Sequence, residues 1–389
     1  RKRHADMRLI GAGGPRMAAE GQEQVADLTR HAVVGLTEVL KHAMTLRQVL
    51  SKLIAVAKKE QPEVVVFIDY SGFNLRLMTK LRSALRDSKL IYFISPQVWA
   101  SRPQRVNKME QCLDLVLTIF PFENEWYAKR APNLDVRWIG HPKVDQIDHL
   151  SKGQWESGRI AILPGSRERE IERHVPILWD TAQEIYMKRP GVHFVIMAPG
   201  RERHRQITEY IEQAPAVGFD YDVYTSYALS HLNRCELALV KSGTGSLDCA
   251  LMGVPQIVVY KVNPLTYQVG KMVVKLKHLS MVNVLADDTD VVPELLQDQM
   301  TAENISRTAL DLLGNREKME AMRERMADIV GSLGSPGALG RAADAIDGQM
   351  KELGAALKEK RAVSVRKAMR DRGEARARAI TAATTAPDA

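Results

Sequence analysis

VKSGTGSLDCALMGVPQIVVY, residues 240–260, decides the fold. An apolar run enters the turn Ser242-Gly-Thr-Gly-Ser246. A short helical segment follows, and Pro255 leads into a second apolar run, Gln256–Tyr260. Strand, glycine turn, helix and strand in that order make the unit of a parallel sheet. Antiparallel neighbours need only a hairpin between them, whereas parallel ones need a crossover.

The same alternation runs outward in both directions. Upstream, candidate strands are Met7–Ile10, Val64–Ile68, Leu90–Ile94, Leu115–Ile119 and Arg137–Ile139. A second series comprises Ile160–Leu163, His193–Met197, Leu237–Val240 and Gln256–Tyr260. Helical patterns lie between them at Leu36–Lys59, Asn74–Asp87, Glu172–Arg189 and Gly245–Met252. The expected architecture is α/β, with two doubly wound, Rossmann-like domains facing a cleft and a helical C-terminus from about Thr301. The expected boundaries are 1–142, 143–350 and a tail at 351–389. Asp145–Gly158 reads as a linker and Ala379–Ala389 as disordered, being small and polar.

Composition narrows the classes. The chain has 389 residues, 45% hydrophobic and 26% charged, which suits two folded domains. No apolar run approaches the ~18 residues of a membrane span. Cys112, Cys235 and Cys249 form no CxxC pair and read as reduced thiols of a cytoplasmic protein. The histidines form no HExxH, so no metal site is expected, and no cofactor motif is seen. Gly11-Ala-Gly-Gly14 lacks the GxGxxG spacing of a dinucleotide site. The net charge is +8, of which the tail Lys351–Ala389 supplies +5, with ten Lys/Arg against five Asp/Glu. No aromatic lies in that tail, which argues against nucleic acid. An anionic membrane surface suits it better, and a solvated tail without a partner suits it equally. Leu36–Lys59 carries a broad apolar stripe with a basic opposite face; it either packs into the core or meets lipid.

Two turns carry candidate chemistry. Leu163-Pro-Gly-Ser-Arg167 follows a strand and precedes a helix. Glycine permits close backbone approach, the helix start presents N–H groups, and Arg167 offers a planar cation for phosphate. The bland alternative is turn geometry alone. Ser242–Ser246 repeats the arrangement, and two such turns can lie side by side at the carboxyl ends of the strands. Together they point to a phosphate-bearing ligand such as a nucleotide. Neither is a P-loop. Asp248, just inside the second helix, is placed either to accept hydrogen bonds from a hydroxylated ring or to complement the helix dipole. In the first half, Asp69 ends an apolar strand and is either a general base or a helix cap. Asn74, Ser95, Gln97 and Trp99 fall on the same rim, and His141 lies at the break between the two series.

Taken together, the motifs resemble the lipid-A-disaccharide synthases. They are GAGGPRM (11–17), IDYSGFNLRL (68–77), ISPQVWASRPQRV (94–106), DLVLTIFPFE (114–123), IGHP (139–142), LPGSRERE (163–170), SGTGSL (242–247) and PELLQ (293–297). The resemblance implies a GT-B glycosyltransferase. Its reaction joins UDP-2,3-diacylglucosamine to 2,3-diacylglucosamine 1-phosphate, giving the β-1,6 disaccharide and UDP with inversion and without a metal. It further implies a cytoplasmic protein, peripheral on the inner face of the inner membrane, with a possible homodimer formed through the helical C-terminus. Asp69 matches the family's strand-end Asp and is the implied base. Gly165, Ser166, Arg167, Ser242, Gly243, Thr244, Asp248 and Asn283 fall on the implied UDP-sugar side. Asn74, Ser95, Gln97, Trp99 and His141 fall on the implied acceptor and cleft side.

The sequence also departs from the pattern. The family opens with a strand and a Gly-Glu-x-Ser-Gly-Asp loop that have no counterpart here, so the first domain is expected to lack a central strand. Family members read Ile-Asp-x-Pro-Asp-Phe where this chain has Ile68-Asp-Tyr-Ser-Gly-Phe73, so Gly72 replaces a second carboxylate. Asp248 stands for Glu, Ser101 for Trp and Val282 for Pro. Two alternatives follow: another GT-B enzyme with a different lipid acceptor, or a non-catalytic nucleotide-sugar-binding homologue.

Overall fold

The computed structural model describes residues 4, 6–28, 36–147, 155–225, 229–264, 267–268, 276–287 and 289–384, with side chains for all of these except 36–43, 360–362 and 365–384. Every strand pairing among them is parallel. The first half holds β1 (Ile10–Gly13) and β2 (Glu23–Asp27) as one pair. A separate four-stranded sheet runs in the order β3 (Val64–Ile68), β4 (Lys89–Phe93), β5 (Leu115–Thr118), β6 (Asp135–Trp138). On β3, an edge strand, Val66 and Ile68 are exposed.

The second half is one six-stranded sheet built from β7 (Glu156–Leu163), β8 (His193–Met197), β9 (Asp220–Tyr224), β10 (Cys235–Lys241), β11 (Gln256–Tyr260) and β12 (Glu294–Leu296). Its order is β12-β11-β10-β7-β8-β9. The central strands are continuous apolar runs because helices cover both faces. The chain winds one way from β7 to β9 and then returns to lay β10 on the other side of β7. That reversal opens a crevice at the carboxyl ends of β7 and β10.

The helix Glu168–Lys188 follows β7 and buries Ile171, Val175, Leu178, Ala182 and Ile185 along one stripe. The helix Leu36–Glu60 turns most of its described stripe to the core. Val49 is buried, and Leu46, Leu50, Leu53 and Ile54 pack against the core beneath the first sheet. Those five residues are spent inside the protein, whereas Met44 of the same stripe is 61% exposed. Among the described residues no helix is long and apolar enough to cross a membrane.

The expected linker overlaps two elements: Pro142–Ile147 is helical and β7 begins at Glu156, with residues 148–154 outside the described residues. The tail expected from 351 is helical as far as it is described, and its expected start falls inside a helix. One helix, Ala338–Thr384, runs through residue 351 without a break and takes in 379–384. It packs against β4, and Lys89 reaches Glu352 at 3.9 Å. Its N-terminus is capped by Asp145, which accepts from the N–H groups of Gly337, Ala338 and Leu339 at 2.7–3.2 Å. Arg341 donates to the Ile139 carbonyl at 2.7 Å. The C-terminal helix therefore clamps the connector between the two sheets and returns to the first one.

Candidate active site

Sheet order brings the two turns together. Leu163 at the end of β7 is the ladder partner of Val240 near the end of β10, so 163–167 and 242–246 leave neighbouring strands side by side. A cavity of about 290 Å³ lies between them. Gly165 and Ser166 line it from one side, Ser242 through Gly245 from the other, with Lys143, Lys241 and Asp248 around it.

The first turn already holds an anion of its own. Glu170 accepts from the Ser166 N–H at 3.0 Å and the Arg167 N–H at 3.2 Å. Its other oxygen takes Arg167 Nη1 at 3.1 Å and Lys241 Nζ at 3.0 Å. Burial pushes this carboxyl up, but the Ser166 N–H and Lys241 more than offset it, and it titrates below the usual range. Gly165 is required here. At φ +127° a Cβ would stand 2.7 Å from Glu170 Oε2. His174, fully buried, ties the turn to β11: Nδ1 donates to the Pro164 carbonyl at 2.7 Å while Nε2 accepts from the Lys261 N–H at 3.2 Å. Arg167, next to the lining residue Ser166, keeps a largely exposed side chain.

The second turn is open. Gly243, at φ +142°, precedes the helix Thr244–Leu251, and no side chain caps it. Ser242 is fixed from behind, its N–H on the Val259 carbonyl at 2.9 Å and its hydroxyl on the Leu279 carbonyl at 2.8 Å. The helix start therefore points its N–H groups and positive dipole end at the cavity. Asp248, one turn further in, is buried, and Lys143 Nζ pairs with its Oδ1. Burial raises the Asp248 carboxyl, and Lys143 offsets this in part.

Asn283 lies beneath the second turn. It is fully buried, and its amide is fully used: Nδ2 donates to the Val292 carbonyl and to Glu294, and Oδ1 accepts from the Val291 and Val292 N–H groups, all at 2.8–2.9 Å. Glu294 also receives the Leu279 and Ser280 N–H groups at 2.9 Å. This network builds the floor on which Ser242 and Ser246 rest, the latter through Ser280 at 3.1 Å.

On the first half, Asp69 and Tyr70 both take positive φ, +46° and +40°. Residues other than glycine seldom do so without a constraint. The constraint is visible: Asn74 Nδ2 donates to the Ile68 and Asp69 carbonyls at 3.0 and 2.8 Å, and the Tyr92 hydroxyl donates to the Asp69 carbonyl at 2.7 Å. Asp69 itself is exposed, and no side chain caps the helix Ser71–Ala84. Asp69 is thus not a helix cap, and Asn74 positions it from beneath. Gln97 is exposed, whereas Ser95 is buried and bonded to the Tyr127 hydroxyl at 2.6 Å. Trp99 donates to Glu123 at 3.1 Å. Glu123 is fully buried, and burial pushes it up to about 7 against the N–H groups of Phe120 and Ile119. His141, buried against Phe120, is pulled down to about 4 by burial and by Lys143, and it is neutral near pH 7. No hydrogen bond, ion pair or ring contact among the described residues joins Asp69 or Gln97 to the second-half cavity.

Four residues of this constellation escaped the sequence reading: Lys143, Lys241, Glu170 and Glu123. Glu170 and Glu123 each carried a local signal, since an acid at the third position of a helix is half of a capping box, whereas the two lysines carried none.

The lipid-A-disaccharide synthetase family model matches residues 1–338. A lipid-A-disaccharide synthase of Pseudomonas entomophila is 38% identical over 80% of this chain and 84% of its own. The chain belongs to the lipid-A-disaccharide synthetase family. Solved structures support the fold that membership implies. A UDP-GlcNAc 2-epimerase from Neisseria meningitidis, solved with UDP-GlcNAc bound, superposes at TM-score 0.57 with 12% identity, over 87% of this chain and 99% of that one. A calicheamicin glycosyltransferase superposes at 0.52 with 14% identity, over 88% and 91%. Parallel sheets in two halves, a cavity at the switch point of the second and a C-terminal helix returning to the first are the GT-B arrangement of this family.

Proposed function

We propose that the chain transfers 2,3-diacylglucosamine from its UDP derivative to the 6-hydroxyl of 2,3-diacylglucosamine 1-phosphate, releasing UDP. The observation that carries this reading is the uncapped start of the Thr244–Leu251 helix beside buried Asp248, at the switch point of a lipid-A-disaccharide synthetase chain. The diphosphate is assigned to the N–H groups at Gly243–Gly245 and to Arg167, and a ribose hydroxyl to Asp248. Asp69 is assigned as the base. It takes the proton of the acceptor hydroxyl as that oxygen attacks the anomeric carbon. The bond from that carbon to the UDP oxygen breaks on the opposite face, which inverts the centre. Charge gathering on UDP is met by the fixed N–H dipoles and by the guanidinium.

The test is disaccharide 1-phosphate formation from the two acylated substrates. Asp69→Asn should lower kcat by about 10²–10⁴ and leave UDP affinity unchanged. UDP binding with no disaccharide formed by the unaltered chain would overturn transfer in favour of the second reading, a nucleotide-sugar-binding homologue. Gly72 favours that second reading, since it stands where the family carries a carboxylate. No atom lies within 4 Å of a Cβ added there, so Gly72→Asp is sterically free. If Gly72→Asp raises turnover while Asp69→Asn leaves it unchanged, the base position moves to 72.

The acylated substrates and the basic tail also support reversible association with an anionic membrane surface on the cytoplasmic side. Sedimentation with anionic vesicles should fall as salt rises; equal partitioning at low and high salt would remove the electrostatic part. A homodimer through the long C-terminal helix is the assembly reading, checked by light scattering.

A further inference from the structure

Lys143 does not belong to either turn. It lies on the helix Pro142–Ile147, in the connector between the two sheets. Its own N–H donates to His141 Nδ1 at 3.2 Å, and Asp145, two residues on, caps the C-terminal helix. From this anchored backbone the side chain reaches into the cavity and pairs with Asp248, 105 residues away in sequence.

Two features separate this pair from an ordinary structural ion pair. The Asp248 side chain is 3% exposed, whereas that of Lys143 is 26% exposed and faces the cavity. An ammonium has three N–H donors, and a carboxylate oxygen takes one. Charge gives the second feature. Around the cavity, Arg167 and Lys241 are both committed to Glu170, and Asp248 adds a second carboxylate. Without Lys143 those charges cancel. Of the charged side chains that line the cavity, Lys143, Lys241 and Asp248, two are cations, and one of these comes from the connector.

We propose that Lys143 is a donor-binding residue of this site, bridging the Asp248 carboxylate to the diphosphate of a bound nucleoside diphosphate. This rests on the reading of the cavity as the nucleotide site. On this arrangement Asp248 serves the ribose through its remaining capacity, and Lys143 both holds it ionised and meets the phosphates.

The test is calorimetric titration of UDP, UMP and uridine into the unaltered chain and into Lys143→Met, Lys143→Arg and Asp248→Asn. Lys143→Met should lose roughly tenfold to a hundredfold for UDP, less for UMP and little for uridine. Lys143→Arg should restore most of the UDP affinity. Asp248→Asn should weaken uridine and UDP alike. If the unaltered chain binds no UDP, the nucleotide reading itself fails and takes the proposal with it. If it binds UDP and Lys143→Met binds as tightly, the nucleotide reading stands and Lys143 is excluded. Equal loss for all three ligands also overturns the proposal, because Lys143 would then act only by holding Asp248. Should Lys143→Met fail to fold, the double variant Lys143→Met/Asp248→Asn, neutral at both positions, is compared with Asp248→Asn. A further loss for UDP but not uridine supports the bridge, and no further loss overturns it.

Discussion

The turns at 163–167 and 242–246 share a strand, a glycine at positive φ and a helix start, and they lie side by side. They differ in who holds the helix N–H groups. In the first, Glu170 folds back from the third helical position and takes the Ser166 and Arg167 N–H groups. In the second, the nearest acid is Asp248 at the fifth position, and it faces Lys143 instead. A glycine turn before a helix is therefore an anion site only when no local carboxylate has filled it. The first turn contributes shape and Arg167; the second contributes the open donors.

The largest expected effect is at Gly165. Gly165→Ala combines a strained φ with a Cβ only 2.7–2.8 Å from Glu170 atoms, and should cost about 3 kcal/mol of stability in denaturant titration. Gly243→Ala meets nothing closer than Lys241 Nζ at 3.5 Å. It should cost only about 1–2 kcal/mol of stability, with UDP affinity falling more visibly. Equal stability losses would break the contrast.

Next is Glu170→Ala, which should destabilise by about 2 kcal/mol because Lys241 and two N–H groups lose their acceptor. It should also make the first turn bind inorganic phosphate, detected by phosphorus NMR. No gain of phosphate binding would mean that Glu170 is not what separates the turns. Arg167→Ala should weaken UDP by about 1.5 kcal/mol, the low end for a charged hydrogen bond because the side chain is largely solvated. Unchanged UDP affinity removes Arg167 from the site.

The smallest effect is in acid. Glu170 titrates below its ordinary 4.5, so its contribution is complete above that pH and is lost as pH falls through its folded value. Asp248 titrates above its ordinary 3.8, so between that pH and its folded value the native chain holds the extra proton and gains from acid. Glu170→Gln should therefore make the acid limb of the stability profile shallower and Asp248→Asn should make it steeper, each by less than the ~1.4 kcal/mol per pH unit that one proton allows. Shifts in the same direction would refute the opposed environments.

Much of the fold was legible because its central strands are long apolar runs. Val64–Ile68, His193–Met197 and Gln256–Tyr260 stand in the structure at their expected limits. The strands that escaped were Glu23–Asp27, Asp220–Tyr224 and Glu294–Leu296. All three lie at sheet edges, where one flank faces solvent or loops and the apolar run that marks a buried parallel strand is not needed. The site divided along the same line. Turn chemistry marks Ser242–Thr244 and Gly165 locally, and a strand end marks Asp69, the proposed base. Asn283 could not be placed, because its role lies in four hydrogen bonds to the segment Val291–Glu294.

The sequence by itself determined the alternation of strand and helix, the glycines that let the chain turn and the family to which it belongs. Those features depend on side-chain period and on backbone freedom, which act over a few residues. Only the tertiary structure decided which helix start is occupied and which is open, and that Lys143 from the connector and Lys241 from β10 line the cavity between them. Coulomb interactions act through space. Lys143 and Asp248, 105 residues apart, become partners only when the sheet order and the C-terminal clamp bring the connector to the cavity.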